Sequence, residues 1–211
     1  MNIRRYYDRG RNPKGFWGNR AIKAMNGKRH AALPEWVLGL IQLKEGSNIL
    51  DVGCGGGANI ARLLKHCPSC HVTGLDMSQL AIEASTDYNY RAIVDKQCLI
   101  VGGNATQMPL AKNMFDVVTT FESIYYWPSL ESGASEMLRV LKPGGLCVIA
   151  NELDGTKPED RALENAIGGI HIYDIEEIIQ DLEQAGFTGI EAHHDEARRF
   201  VCVTARKPVE Q

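Results

Sequence analysis

Residues 48–64 read Asn-Ile-Leu-Asp-Val-Gly-Cys-Gly-Gly-Gly-Ala-Asn-Ile-Ala-Arg-Leu-Leu. A short apolar run closing at Asp51 and Val52 predicts a buried strand, and Gly53 to Gly57 predict a turn. Ile60, Leu63 and Leu64 then recur at helical spacing. Glycines at 53, 55 and 57 allow the backbone to pass close to a ligand, where a Cβ would collide with it, and they tolerate unusual dihedrals. The helix that follows turns its unbonded N–H groups toward the negative end of that ligand. Strand, glycine turn and helix together predict a site for a nucleoside-bearing ligand.

Further acids and glycines follow in order. A second apolar run, His71 to Leu75, ends at Asp76-Met77, placing an acid at a strand tip where it suits ribose hydroxyls. A third, Leu99 to Val101, leads to Gly102-Gly103-Asn104-Ala105. Phe115 to Phe121 reads as a fourth strand, followed by Glu122-Ser123-Ile124-Tyr125-Tyr126-Trp127. Leu138 to Gly145, with its Leu-Lys-Pro-Gly-Gly block, reads as a helix end and turn before a fifth strand from Leu146 to Asn151. Ala134, Met137, Leu138 and Leu141 fall on one helical face, as do Ile175, Ile178, Ile179 and Leu182, with Gly186 as a stop. The stretch from Asp154 to Ile172 is the least regular, and two antiparallel strands are expected after Phe187.

This series, with Asp51 two residues before the first glycine, resembles the class I S-adenosylmethionine (SAM) dependent methyltransferases over residues 45–207. It is closest to the ubiquinone/menaquinone-type small-molecule enzymes. The resemblance implies an α/β, Rossmann-like, doubly wound sheet of seven strands, mostly parallel, with the last strand antiparallel. It implies SAM as cofactor, with Gly53, Cys54, Gly55 and Gly57 shaping the loop and Asp51 supporting it. Asp76 would take the ribose, Met77 would pack on the adenine, and Asn104 with Ala105 would cap its edge, the Asn104 carbonyl standing where the family often has an aspartate. Phe121 closes the cofactor set. Residues 1–44 are expected as a helical arm over the active site, and residues 45–211 as the SAM-binding domain.

Methyl transfer by direct displacement needs alignment and dryness more than a base. Candidate catalytic residues are Glu122, as base or substrate anchor, Tyr126, as a wall beside the methyl group, and His30. Against these roles stand a solvated loop carboxylate and ordinary packing. Tyr125, Tyr6 and Tyr7 are further aromatic candidates. The absence of an Asn/Asp-Pro-Pro-aromatic motif after the fourth strand argues against nucleic-acid amines and for a small-molecule acceptor. Two alternatives stay open. One is an NAD-dependent oxidoreductase, since Gly53-x-Gly55-x-x-Ala58 formally satisfies the dinucleotide fingerprint; the other is a non-catalytic SAM-binding protein.

Composition is that of a globular domain: 211 residues, 44% hydrophobic and 23% charged. Apolar runs are far shorter than the ~20 residues of a membrane-spanning helix. No charged-then-apolar leader opens the sequence, which points to the cytoplasm. The first thirty residues carry nine Lys/Arg against Asp8, in a chain of net charge −3. That basic arm reads as a solvated segment packing Trp17, Ile22 and Met25 inward. The six cysteines are expected as reduced thiols. His66-Cys67-Pro68-Ser69-Cys70-His71 lacks a second Cys-x-x-Cys, so no metal or redox role is assigned to it. Cys54 reads as a small filler, not a nucleophile, and His193-His194 as surface. The sequence carries no signal of oligomeric state.

Overall fold

The computed structural model describes residues 15, 18, 20, 22 and 26–209. Tyr6, Tyr7, Trp17 and Met25 lie outside the described residues. The chain order is a short 3-10 turn (Lys28–Ala31), α1 (Ala32–Leu40), β1 (Asn48–Val52), α2 (Ala58–His66), β2 (His71–Asp76), α3 (Gln79–Tyr88) and α4 (Tyr90–Val94). It continues with β3 (Cys98–Gly102), β4 (Phe115–Phe121), a second 3-10 turn (Ile124–Tyr126), α5 (Leu130–Val140) and β5 (Leu141–Asn151). The last elements are α6 (Pro158–Ile167), α7 (Ile175–Ala185), β6 (Thr188–Asp195) and β7 (Phe200–Arg206).

The strands form one seven-stranded sheet in the order β3-β2-β1-β4-β5-β7-β6. β1 to β5 run parallel, and β7 enters antiparallel to both β5 and β6. This is the predicted doubly wound sheet with its last strand antiparallel. Central strands buried on both faces explain their near-continuous Val, Ile and Leu content. On one face Leu33, Val37, Ile60 and Leu63 from α1 and α2 pack on Ile49, Val117 and Val148. On the other, Met137, Ile178 and Leu182 from α5 and α7 pack on Leu50, Val118 and Ile149. Each such fully buried side chain stabilises the fold by about 1.5–3 kcal/mol.

Three expectations are corrected. β5 begins at Leu141, not Leu146, because Leu141 pairs with Phe115 before an irregularity shifts the register to Val117↔Leu146. The Leu-Lys-Pro-Gly-Gly block is therefore strand, and α5 ends one residue before Leu141. The stretch expected to be irregular contains α6, which has Pro158 in its first turn and Gly168 at its C-terminus. Two cysteines are not reduced thiols: Cys67 and Cys70 form a disulfide. The tight Cys-Pro-Ser-Cys turn, in which the Cys70 N–H donates to the Cys67 carbonyl (3.1 Å), brings their Cα atoms to 5.4 Å. The other four cysteines are free and buried.

Candidate active site

The parallel strands all end at one edge of the sheet, and there the chain opens into a cavity of about 440 Å³. Ligands of open α/β sheets sit at this carboxyl edge. Of the predicted residues, His30, Gly53, Cys54, Gly55, Asp76, Met77, Asn104, Ala105, Phe121, Glu122 and Tyr126 line the cavity; Asp51 and Gly57 do not.

The glycine loop is held from beneath. The Gly53 and Cys54 N–H groups donate to the Leu75 carbonyl, at 2.8 and 3.1 Å. Gly53, at φ +73°, backs onto Ser123, where a Cβ would stand 2.5 Å from the serine Cβ. Gly57, the left-handed N-cap of α2, backs onto Ser85 and Asn89. Only Gly55, at φ +53°, faces open space. The structure therefore divides a role that spacing alone assigns to all three glycines. Gly53 and Gly57 are required by neighbouring protein atoms, and Gly55 alone leaves room for a ligand.

Asp76 ties this loop to the next. Its two carboxylate oxygens accept from the Gly55 N–H and the Ser78 N–H, each at 2.9 Å. Burial raises its pKa against the pull of these donors. The acceptor capacity left after these donors and the Met77 N–H suits ribose hydroxyls. Met77 is 64% exposed on the cavity rim, an apolar platform for a flat ring. Asn104 departs from expectation. Its Oδ1 already accepts from the Thr106 N–H (3.0 Å) and hydroxyl (3.1 Å) in a local turn. Its amide nitrogen, not its carbonyl, is what this exposed side chain can offer a base.

Asp51 lies beneath the loop, fully sheltered, and accepts from the Thr119 hydroxyl at 2.9 Å. Burial pushes it up to about 7, with the charge of Asp76 adding to the effect. Burial also holds the Cys54 thiol protonated, which fits filler better than nucleophile.

Glu122 follows β4 in a left-handed conformation, φ +57°, while its N–H still donates to the Ala150 carbonyl (2.9 Å). The turn swings its carboxyl toward β5. There Oε1 accepts from the Glu152 N–H and from the Tyr125 hydroxyl (3.1 Å). Removal from bulk water, with the Glu152 carboxylate close by, pushes Glu122 up to about 8. His30 Nδ1 stands 3.6 Å from Glu152 Oε1. Tyr126 meets Tyr125 edge-on, with ring centroids 6.3 Å apart.

Sequence reasoning does not single out Asn26, Ser123, Trp127 or Glu152. Asn26 Nδ2 donates to the Gly56 carbonyl at 2.8 Å, fastening the segment before α1 to the glycine loop. Glu152 does leave a signal: it stands one residue past β5, as Glu122 does past the neighbouring β4, so parallel pairing brings both acids to one edge.

Comparison with known proteins gives this geometry a family. Residues 50–149 match the family model described as "Methyltransferase domain". The chain carries a class I SAM-dependent methyltransferase domain. The domain is 30% identical over 174 residues to 24-methylenesterol C-methyltransferase 3 of Arabidopsis thaliana, covering 82% of this chain and 44% of that protein. It is 27% identical to 27-O-demethylrifamycin SV methyltransferase of Amycolatopsis mediterranei (strain S699), covering 82% of this chain and 64% of the relative. The chain thus spans less than half the length of the sterol methyltransferase. A SAM-dependent methyltransferase from Aquifex aeolicus shares the fold of the domain, with a TM-score of 0.75, 21% identity and coverage of 90% and 98% of the two chains.

Proposed function

We propose that this protein transfers the methyl group of SAM to a small-molecule acceptor in the cavity at the carboxyl edge of its sheet. The observation that carries this reading is the Asp76–Gly55 hydrogen bond at the open part of the glycine loop, with Met77 beside it. An acid for the ribose, a cleared backbone and an apolar shelf stand in the order a nucleoside needs. The N-terminal N–H groups of α2, at Ala58 and Asn59 on the cavity wall, suit the carboxylate at the other end of SAM.

Bound there, SAM supplies an electrophilic methyl group for in-line attack by O, N, S or C of the acceptor. The protein positions the acceptor between Phe121, Tyr126 and Trp127 and keeps water away with the same side chains. Asn26 and His30 on the cavity wall support a covering role for residues 1–44. The relatives, a sterol and a rifamycin methyltransferase by name, favour a small acceptor, as does the lack of an Asn/Asp-Pro-Pro-aromatic motif after β4. Among the described residues no helix is long and apolar enough to cross a membrane. A cytoplasmic location belongs to this reading, and in that reducing compartment the Cys67–Cys70 pair is expected to open to the dithiol. Mass spectrometry of the alkylated protein from cells tests that point.

Calorimetric titration with SAM, S-adenosylhomocysteine (SAH) and NAD tests the assignment. Micromolar-range binding of the first two and none of the third is expected, followed by methyl transfer in an acceptor screen. NAD binding alone would overturn the reading in favour of the dehydrogenase alternative. Tight SAM binding with no turnover across a broad acceptor panel would favour a non-catalytic SAM-binding protein.

A further inference from the structure

The acids at the cavity edge point to a role that goes beyond lining it. Glu122 and Glu152 follow adjacent parallel strands and converge on one wall. A non-glycine residue at φ +57° is strained and persists only where its surroundings enforce it. Here the enforced turn delivers a carboxyl group to the Glu152 N–H and the Tyr125 hydroxyl. Among the described residues, both hydrogen bonds arrive at Oε1, which leaves Oε2 as the position for a proton. The charged or titratable groups facing this carboxyl are Glu152, Tyr125 and, through Glu152, His30. Among the described residues lining the cavity there is no lysine or arginine. A carboxyl group held on this wall, with a second acid near it, ionises reluctantly.

The sulfonium of SAM is bonded to the ribose, which Asp76 would hold. Gly53 of the loop backs onto Ser123, the residue after Glu122. A sulfonium joined to a ribose held at Asp76 would enter the cavity that Glu122 and Glu152 line. Resting on the SAM reading above, we infer that the Glu122 carboxyl holds a proton in the free protein and releases it when the sulfonium enters. Glu122 is then a base only in the loaded protein. On methyl transfer the acceptor X–H bond breaks and its proton moves to the Glu122 carboxylate. The X–CH₃ bond forms, the C–S bond breaks, and its electron pair stays on sulfur to give the neutral thioether. Glu122 returns to its protonated state, and the product lacks the charge that the pair attracted. The carboxyl pair thus discriminates cofactor from product and favours product release.

The test is calorimetric titration with SAM and with SAH across a pH series, in two buffers of different ionisation enthalpy. SAM is expected to release more protons than SAH. Its affinity relative to SAH should rise on the order of tenfold between about pH 6 and about pH 9, as when a bound cation makes one carboxyl about ten times more acidic. In Glu122→Gln the ratio should not respond to pH. In Glu152→Gln, where the like charge is gone, the midpoint of the rise should move to lower pH, and this variant decides the matter if Glu122→Gln does not fold. Binding of both ligands with a flat ratio in the native protein, or an unchanged rise in Glu122→Gln, would overturn the carboxyl pair alone. Failure of both ligands to bind would overturn the SAM reading and the pair with it.

Discussion

The acids of this protein fall into two groups that live by different rules. Asp51, buried beneath the end of β1, and Asp76 and Glu122, half-buried at the ends of β2 and β4, meet hydroxyls and backbone N–H groups. Burial raises all three. Asp154 and Asp160, beyond β5, are as deeply buried as Asp51 but share the Arg199 guanidinium. Burial alone would raise Asp154, yet Arg199, Thr156 and His194 outweigh it and hold it well below the carboxylate range. The first group is left short of positive charge where a ligand binds. The second shares a cation and staples the start of α6 to the β6–β7 turn. Cost without compensation marks the functional edge.

The largest effect should come from breaking the compensated group. Arg199→Met leaves two buried carboxylates without their cation, and unfolding free energy should fall by about 3 kcal/mol in a denaturant titration. SAM affinity of the folded fraction should change little. A mild loss of stability with a large loss of affinity would mean that the two regions are one unit.

Next comes the loop. Gly53→Ala meets Ser123 at 2.5 Å and forces a side chain to φ +73°. SAM affinity should drop on the order of 100-fold, about 2.7 kcal/mol by calorimetry. Gly55→Ala, with no atom within 4 Å, should cost only the ~1–2 kcal/mol of a left-handed alanine and lose binding. Equal destabilisation by the two would refute the division of roles within the loop.

The glycines, the strand-tip acids and the parallel order are all legible in the sequence, because periodicity and turn chemistry are local. What escapes it depends on tertiary partners. The extension of β5 back to Leu141 follows from pairing with Phe115, which no local pattern records. The engagement of Asn104 Oδ1 by Thr106 is a two-residue turn hidden beneath a family expectation. Glu152 carries no motif and gains its place only when β4 and β5 pair. The disulfide has the right spacing in the sequence; scattered cysteines argue against it there, and only the turn geometry shows that it closes.

Asp51 gives a pH test of intermediate size. Its folded pKa, about 7, lies above the unfolded value near 3.9, so the unfolded state loses its proton first as pH rises. Its contribution to stability is complete below about pH 4 and is lost as pH climbs to about 7. Asp51→Asn keeps the acceptor for Thr119 and should flatten that part of the ligand-free melting curve, worth ~1–3 kcal/mol near neutral pH. An unchanged slope would show that water reaches Asp51 and that the starved group is smaller than drawn.

The smallest effect is expected where pairing occurs without burial. Lys142 Nζ donates to both Asp116 oxygens at 2.8 Å, and the Asn48 N–H adds a third donor at 2.9 Å. Together they outweigh the modest burial of Asp116 and lower its pKa. The sign is the reverse of that for Asp51: this stability is present above the unfolded value near 3.9 and is lost as pH falls through the folded one. Both side chains are more than a third exposed, so solvent screens the pair. Lys142→Met should therefore cost under ~1 kcal/mol, and the cost should shrink further in high salt. If it matched Arg199→Met in a denaturant titration, pairing alone would set the strength of an acid's contribution. The contrast between the two groups would then rest on charge and not on burial.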